Sequence, residues 1–479
     1  MTETRAEPAA GQERPALIEH THVALLAAVA VFTFCLIGIF TRPSGLLAAF
    51  WPANAVLLGI LLRSPKRASW SVWCAAAVAY LCADLLTGST LLKSILLNGT
   101  NLASVAIAYG LFMRFSTSHL GLDQPWSIIH LLINTSAAAL VAGILGAVLN
   151  PLLFDGSSWS GFLTWFTAEL VNYLAILPVI LTLPSSVSFR LRARRASDTL
   201  QAMSTRLLPL VSVLFGCVLG VVFNGPGDIA YPLPGLLWCA VSYGLFTTAL
   251  ITLLTCAWIL IASSLGYIQG NADLSLPYAL ESLRLGSALI ALAPLSVACV
   301  VRSLQRTLET LKYTANHDYL TDTLNRGGFM QGASVLLQQC QARAEPVAVL
   351  MLDIDHFKQI NDRHGHATGD QVLAAFAGTL KASLRKEDLI GRVGGEEFAV
   401  IVPGCTYDSA LRIAESICRH CAATEIPLPA GKQLQVTTSL GLSHSIDCHA
   451  SLEELLQAAD QQLYLAKQSG RNRALAVSL

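Results

Sequence analysis

Ten apolar runs occupy most of the first 301 residues, and they decide what this chain can fold into. They cover residues 22–40, 47–63, 70–86, 94–113, 128–154, 162–183, 207–224, 231–244, 246–265 and 285–301. A bilayer span needs roughly 20 apolar residues, with a range of about 17–25. The run at 231–244 is short, and the "SYGLFTTAL" step before the next run leaves little room to turn, so eight to ten membrane helices are expected. Charge follows the same division. Residues 1–301 carry 14 Lys/Arg and 12 Asp/Glu, whereas 302–479 carry 17 and 19 in little more than half the length. The two parts are built for different solvents, and the net charge of zero hides that split. The first 20 residues are polar and include acids, unlike the basic start of a cleavable signal. The expected segments are a cytoplasmic stretch 1–20, a multi-span membrane domain 21–301, a helical stalk 302–316 and a soluble domain 317–479.

Short loops rich in Lys and Arg stay on the cytoplasmic side. That places Arg63, Lys66 and Arg67 inside, with Arg190, Arg192, Arg194 and Arg195, and with Arg302 and Arg306 after the last run. The loops at Asp155 and Asp228 carry no basic residue and are expected outside. Ten spans with both termini inside satisfy every assignment, so the 178-residue tail is expected in the cytoplasm. Polar side chains within spans are costly and therefore informative. Asn54, Asn98, Asn101, Asn134 and Asn172 read as hydrogen bonds between helices. Asp84 also lies in a span, and Glu169, near the middle of its run, is the candidate for a buried ligand or ion site. Of the 12 cysteines, seven lie in the membrane part and read as small apolar filler. Cys418 and Cys421 form a CxxC on an amphipathic helical pattern and lack the four convergent ligands that a zinc site needs.

Leu304, Leu308 and Leu311 are spaced for a helix that carries the last span on as a stalk. In the tail, "VAVLMLDI" is a continuous apolar run, the mark of a strand buried on both faces, and it ends at Asp353 and Asp355. "HFKQINDRH" reads as a short helix, "GHATGD" as a loop and "QVLAAFAGTLKASL" as a helix. "DLIGR", Gly394-Gly395 and "EEFAVIVP" read as strand, two-residue turn and strand, with both glycines at positive φ in a type I′ hairpin. "YDSALRIAESICRHCAAT" is a helix, "LQVTTSLGLSHS" a strand, and "SLEELLQAADQQLYLAKQSG" a helix opened by a Ser451/Glu454 capping box. The expected fold is an α/β palm of the ferredoxin-like kind behind a multi-span helical membrane domain.

Asp353 at a strand end meets Glu396 at a hairpin tip if the two strands are neighbours. Clustered carboxylates suit Mg²⁺, a hard cation that keeps positions for phosphate oxygens. Lys358, Lys467 and Arg471 are candidate phosphate partners, and Asn361 with Asp370 offers a donor and acceptors for a guanine edge.

The stretches "DIDHFKQINDRHGHATGD", "GGEEF" and "ADQQLYLAKQSGRN" resemble the GGDEF domain of diguanylate cyclases, over essentially all of 314–479. "NHDYLTDTLNR" resembles that family's entry segment, except that Asp322 and Thr323 stand where a glycine is usual. The resemblance implies condensation of two GTP molecules into cyclic di-GMP with release of two pyrophosphates by a homodimer. It implies that Asp353, the backbone carbonyl of Ile354, Glu396 and Glu397 hold Mg²⁺ or Mn²⁺, with Glu396 also the general base. It implies guanine contacts from Asn361 and Asp370, and a nucleotide pocket lined by Phe357, Lys358 and His366. Gly394 and Gly395 would leave room for the triphosphate, and Lys467 and Arg471 would clamp it. Arg385 and Asp388 match the spacing of the family's product-inhibition site, with Arg412 and Arg419 as candidates for a second arginine. "FWPANAVLLGILL" and "WFTAELVNYLAILPVILTLP" resemble the MASE-type membrane sensors found ahead of such domains, over roughly 20–301, and imply an unidentified input. The implied location is the bacterial inner membrane, and no nucleic-acid polymer is expected as a partner. A catalytically inactive GTP or cyclic di-GMP receptor is the alternative. A transporter with a regulatory tail finds no support in paired broken helices or an internal repeat.

Overall fold

The computed structural model describes residues 13–40, 50–65, 68–115, 121–122, 124–184, 199–223, 225, 227–264, 267, 278–427, 433–447 and 449–479. Lys66, Arg67, the arginines of 190–195 and Cys448 lie outside the described residues. The chain divides into two compact units, Met1–Arg306 and Thr307–Leu479.

The first unit is helical. Its elements are α1 (Glu13–Phe40), α2 (Ala53–Arg63), α3 (Trp70–Leu86), α4 (Leu91–Phe115), α5 (Pro125–Phe154), α6 (Ser158–Thr182), α7 (Thr199–Phe223), α8 (Leu233–Ser242), α9 (Leu245–Ser264) and α10 (Ala279–Asn316). Among the described residues, six are long and apolar enough to cross a membrane: α4, α5, α6, α9, α10 and the Thr21–Phe40 part of α1. Within the described part of the apolar run at 47–63, α2 starts at Ala53, after Pro52, which cannot donate to a preceding turn and restricts the residue before it. The run at 231–244 gives only the 10 residues of α8, bounded by Pro232 and Tyr243.

Helix α6 is the centre of this unit. Every residue from Glu169 to Pro178 is buried, as are nine of the 11 residues of α2 beside it. Small residues let α5 lie close on its other side. A side chain at Gly146 would enter the Trp165 ring at 2.6 Å, and one at Gly143 would reach Phe162 at 3.0 Å. Such close approach through small residues is how helices associate where water offers no driving force. Outward-facing Leu25, Leu140, Ile144, Val148 and Leu254 are exposed on the bundle, as a lipid-facing surface requires. Arg63 ends α2 by donating to the carbonyls of Ile180 and Leu183, at 2.7 and 2.6 Å. It thereby satisfies orphan acceptors at the C-terminus of α6 and puts a positive charge at the negative end of that helix.

The second unit is a sheet between helices. Its elements are β1 (Leu324–Asn325), α11 (Arg326–Arg343), β2 (Val347–Ile354), α12 (Phe357–His364), α13 (His366–Ser383), β3 (Leu389–Arg392), β4 (Glu397–Pro403), α14 (Tyr407–Ala423), β5 (Glu425–Pro427), β6 (Gln433–Gln435), β7 (Thr438–Ser445), α15 (Leu452–Gln468) and β8 (Ala474–Ser478). The main sheet has the order β1-β3-β4-β2-β7-β8, with β2 antiparallel to both neighbours. All eight residues of β2 are buried. Ala348, Leu350 and Leu352 pack with Val372, Phe376 and Ile417, from α13 and α14. Val347, Val349 and Met351 face the other way, onto Phe329, Leu337 and Leu455, from α11 and α15. Burial on both faces is why this strand reads as one apolar run rather than an alternation. The Ser451/Glu454 capping box opens α15 as expected, and Cys418 and Cys421 are buried on α14.

Three expectations need correction. "GHATGD" is not a loop: α13 begins at His366, and Gly365 alone, at φ +81°, makes the break from α12. The strand expected over 434–445 is interrupted at Val436–Thr437, so β6 pairs with β5 and only β7 joins the main sheet. Neither Gly394 nor Gly395 has positive φ, so the GGEEF hairpin is not a two-residue type I′ turn. Strand pairing ends at Arg392↔Phe398, and the intervening loop closes through Val393 N–H to Glu397 O at 2.9 Å. The positive φ appears instead at Asp322, at +53°. That is the entry-segment position where the usual glycine is missing. Its side chain accepts from Tyr313 and Lys381, contacts a glycine lacks.

Candidate active site

The register of the sheet builds the site. Asp353 on β2 lies directly opposite Glu397 on β4 and Ser439 on β7. One step further along, Ile354 N–H reaches Glu396 O at 3.4 Å. The carboxylates of Asp353, Glu396 and Glu397 are thus brought to one end of the central strands, as expected if β2 and β4 are neighbours. Lys467, in the last turn of α15, crosses to Asp353 with Nζ 2.7 Å from Oδ2. Burial pushes the Asp353 carboxyl up; Lys467 pulls it down, and nearby Asp355 adds to the rise. Burial also raises Glu396, and the negative charge of Asp353 raises it further. Such clustering of perturbed acids beside a cation is typical of functional sites.

Two anchors around this cluster are not visible in the motif. Asp355 is buried and accepts from Thr437 Oγ1 and Ser439 Oγ, both at 2.7 Å, and from Asn472 N–H at 3.1 Å. Residues 470–472 all have positive φ, so the turn that presents Arg471 is pinned by Asp355. Arg392 holds the other side. Its Nη1 donates to both Asp318 oxygens, at 3.1 and 3.2 Å, while Nε and Nη2 donate to the Gly395 carbonyl at 3.1 and 2.7 Å. The fork of one guanidinium therefore ties the entry segment to the tip of the GGEEF loop. Thr321 also donates to Asp318. Burial would raise that carboxyl, but the bonds from Thr321 and Arg392 outweigh it and hold it below the usual range.

The remaining expected residues fall around the same end of the sheet or on its flank. Asn361 on α12 stacks its side-chain carbonyl over Gly369, and that Oδ1 is buried without a hydrogen-bond donor. A buried acceptor left unmatched costs about 1–3 kcal/mol. Phe357 is buried in the core beneath α12. Lys358, His366 and Asp370 are exposed. A side chain on Gly394 would collide with the Glu397 carboxylate, whereas one on Gly395 would meet nothing within 4 Å. Nothing inside the chain demands glycine at 395. Arg385 and Asp388 close a turn between α13 and β3, with Arg385 N–H on Asp388 Oδ2 at 2.7 Å. On α14, Arg412 is bound to Ser409 and Arg419 lies 4.0 Å from Glu415.

The donor set is oxygen-only and open. Among the described residues no group of three or more His, Cys, Asp or Glu side chains is placed to hold a metal ion by itself. Two carboxylates with a backbone carbonyl, completed by phosphate oxygens, fit the donor preference of a hard divalent ion.

Residues 315–473 match the family described as diguanylate cyclase, GGDEF domain, and residues 22–274 match MASE1. A probable diguanylate cyclase, DgcF of Escherichia coli O157:H7, is 30% identical over 94% of this chain and 93% of its own length. The protein of that name from strain K12 is 33% identical over 64% of this chain and 95% of its own. The coiled-coil and GGDEF crystal structure of DgcB from Caulobacter crescentus, in complex with c-di-GMP, is 28% identical and covers 37% of this chain and 94% of that one, with a TM-score of 0.36. The chain belongs to the MASE1–GGDEF family of multi-pass membrane diguanylate cyclases. Membership brings with it the use of a divalent metal.

Proposed function

We propose that this cyclase joins two GTP molecules at the carboxyl end of β2, and that its membrane unit sets the output. Two copies each present one GTP. The 3′-oxygen of each attacks the α-phosphorus of the other, a P–O bond forms, the bond to pyrophosphate breaks, and Glu396 takes the hydroxyl proton. Asp353, the Ile354 carbonyl, Glu396 and Glu397 hold Mg²⁺ or Mn²⁺, which when bound neutralises phosphate charge. Lys467 and Arg471 clamp the triphosphate, with Lys358 and His366 along the nucleotide and Phe357 as its floor. Asn361 and Asp370 read guanine, and bare Gly394-Gly395 admits the phosphates.

The observation that carries this reading is the convergence at Asp353. A buried acid with a lysine at 2.7 Å faces the GGEEF acids across one strand pair. The unmatched Asn361 Oδ1 supports guanine, whose ring and exocyclic N–H groups are donors. Product control at Arg385 and Asp388 is supported by the preformed turn that links them. The catalytic unit is proposed to lie on the cytoplasmic side of the inner membrane. Arg63 bonds the end of α6, so the C-terminal ends of α2 and α6 lie together, which supports that side as the cytoplasmic one.

The test uses the full chain in lipid nanodiscs with GTP and MgCl₂, products being separated by mass. Cyclic di-GMP and pyrophosphate in a ratio of about 1:2 are expected, with no product from ATP; GTP hydrolysed to GDP alone would overturn the reading. Added cyclic di-GMP should inhibit wild type and spare Arg385→Ala; equal inhibition of both would remove the control site. Asn361→Leu should raise KM for GTP about 10-fold, the cost of one missing contact.

A further inference from the structure

The run "DID" brings two buried carboxylates, Asp353 and Asp355, to the end of β2. The proposed reaction uses Asp353 and leaves Asp355 without a task. Their partners differ. Asp353 meets the Lys467 ammonium at 2.7 Å. Asp355 is held by neutral donors of its own unit. Thr437 Oγ1 and Asn472 N–H share its Oδ2, at 2.7 and 3.1 Å, and Ser439 Oγ reaches its Oδ1 at 2.7 Å. A carboxylate oxygen accepts about two hydrogen bonds, so both places on Oδ2 are filled. The break between β6 and β7 at Val436–Thr437 serves this contact. It lets Thr437 meet Asp355 twice, through its hydroxyl and through its carbonyl, which accepts from Asp355 N–H at 2.9 Å.

The bond from Asn472 reaches the turn that follows α15. Gly470, Arg471 and Asn472 have φ of +111°, +62° and +46°. Two successive non-glycine residues in the left-handed region cost free energy and persist only where their surroundings fix them. One side of the turn is fixed by α15, where Arg471 N–H donates to the Ala466 carbonyl at 3.0 Å. The sheet fixes the other side, with Leu440 N–H on the Arg473 carbonyl at 3.0 Å. Asp355 adds the tie that joins the turn to the end of β2. Lys467 is the residue after Ala466, so the same end of α15 carries both candidate phosphate cations. The two acids of "DID" hold these cations differently. Asp353 pairs with the Lys467 ammonium itself, whereas Asp355 bonds the backbone beside Arg471.

We propose that Asp355 is a positioning residue of the triphosphate site. It fixes the backbone of residues 470–472 so that Arg471 is aimed at the phosphates, and it acts through Arg471 rather than as a metal ligand. The inference rests on the reading of Arg471 as a clamp on the triphosphate. Thr437 and Ser439 belong to the same device, because they hold the carboxylate in the orientation that meets Asn472 N–H.

The test uses the full chain in lipid nanodiscs with MgCl₂ and 3′-deoxy-GTP, which lacks the attacking hydroxyl and so binds without turnover. Equilibrium dialysis gives affinity and stoichiometry separately. Asp355→Ala is expected to raise Kd about tenfold at unchanged stoichiometry. A variant that only loses folded protein binds fewer equivalents at the wild-type Kd. Arg471→Ala is expected to raise Kd at least as much, and the double variant should match Arg471→Ala alone. Asp355→Asn removes the charge a metal would require but keeps the bonds, since Oδ1 accepts from Thr437 and Asn472 while Nδ2 donates to Ser439 Oγ. Its Kd should stay within about threefold of wild type. Thr437→Val keeps the shape and carries the test where Asp355→Ala does not fold; it should raise Kd about threefold, and only while Arg471 is present. The positioning role is overturned by wild-type Kd in Asp355→Ala, by losses that add in the double variant, or by Asp355→Asn as weak as Asp355→Ala. Wild-type Kd in Arg471→Ala would instead overturn the clamp reading, and the inference with it.

Discussion

Asp353 in the catalytic unit and Glu169 in the membrane unit are equally buried, each 6% exposed, yet they are compensated in different ways. Asp353 has a cation of its own chain, Lys467, at 2.7 Å. Glu169 is met by the neutral donors Asn54 and Ser104, at 2.6 and 2.8 Å. A carboxylate with an internal counter-charge is held ready, and in the proposed reaction metal and triphosphate would exchange one set of charges for another. A carboxyl held by neutral dipoles instead has its hydrogen bonds satisfied by uncharged donors of its own unit. Equal burial of an acid is thus met by a charge in one unit and by dipoles in the other.

The comparison is broken most severely at Asp353. Asp353→Asn should cut turnover about 10³-fold, as loss of a group that acts only on the reacting centre does. Steady-state cyclic di-GMP formation measures it, and a loss under tenfold would contradict the assignment. Lys467→Met leaves Asp353 buried without its cation, and turnover should drop about 10²-fold. The double variant should be no worse than Asp353→Asn alone, because the two side chains act as one unit; additive losses would show that they work separately.

A smaller effect is expected at the tie between the entry segment and the loop. Arg392→Lys keeps the charge but loses the fork that reaches Asp318 and Gly395 together, so kcat should fall about tenfold with GTP binding kept. Asp318→Asn should cost about 2 kcal/mol at pH 7, read by thermal melts of the full chain. The Asp318 carboxyl is held below its ordinary range. The stability it contributes is present above that range and is lost as pH falls through its depressed folded value. The penalty of Asp318→Asn should therefore shrink in strong acid, and a pH-independent penalty would contradict the ion-pair account. The smallest effect belongs to Asp322→Gly. Relief of the positive φ and loss of exposed contacts to Tyr313 and Lys381 oppose each other, leaving stability within about 1 kcal/mol of wild type.

The motif residues were legible because local pattern carries them. "VAVLMLDI" announces a strand buried on both faces, and its end places Asp353. The pairing partners were not legible. Asp355 is anchored by Thr437, Ser439 and Asn472, more than 80 positions away in the chain, and only the sheet brings them together. Arg392 looked like an ordinary strand residue because its partner Asp318 lies 74 positions earlier. The GGEEF turn departs from the expectation because a glycine pair is compatible with positive φ without requiring it; at 394 glycine instead leaves room for the Glu397 carboxylate. In the membrane unit, hydropathy located the helices and the costly polar residues. It carried no information on the order in which Asp84, Asn98, Asn101, Asn54 and Glu169 bond, since that depends on how four helices pack.

The most direct test of the site is Glu396→Gln in the full chain, compared with wild type in nanodiscs containing GTP and MgCl₂. Gln keeps the shape and removes the charge and the proton acceptor. The account predicts cyclic di-GMP formation reduced about 10³-fold or more, with GTP still bound and the fold intact. Wild-type levels of cyclic di-GMP from Glu396→Gln would contradict it.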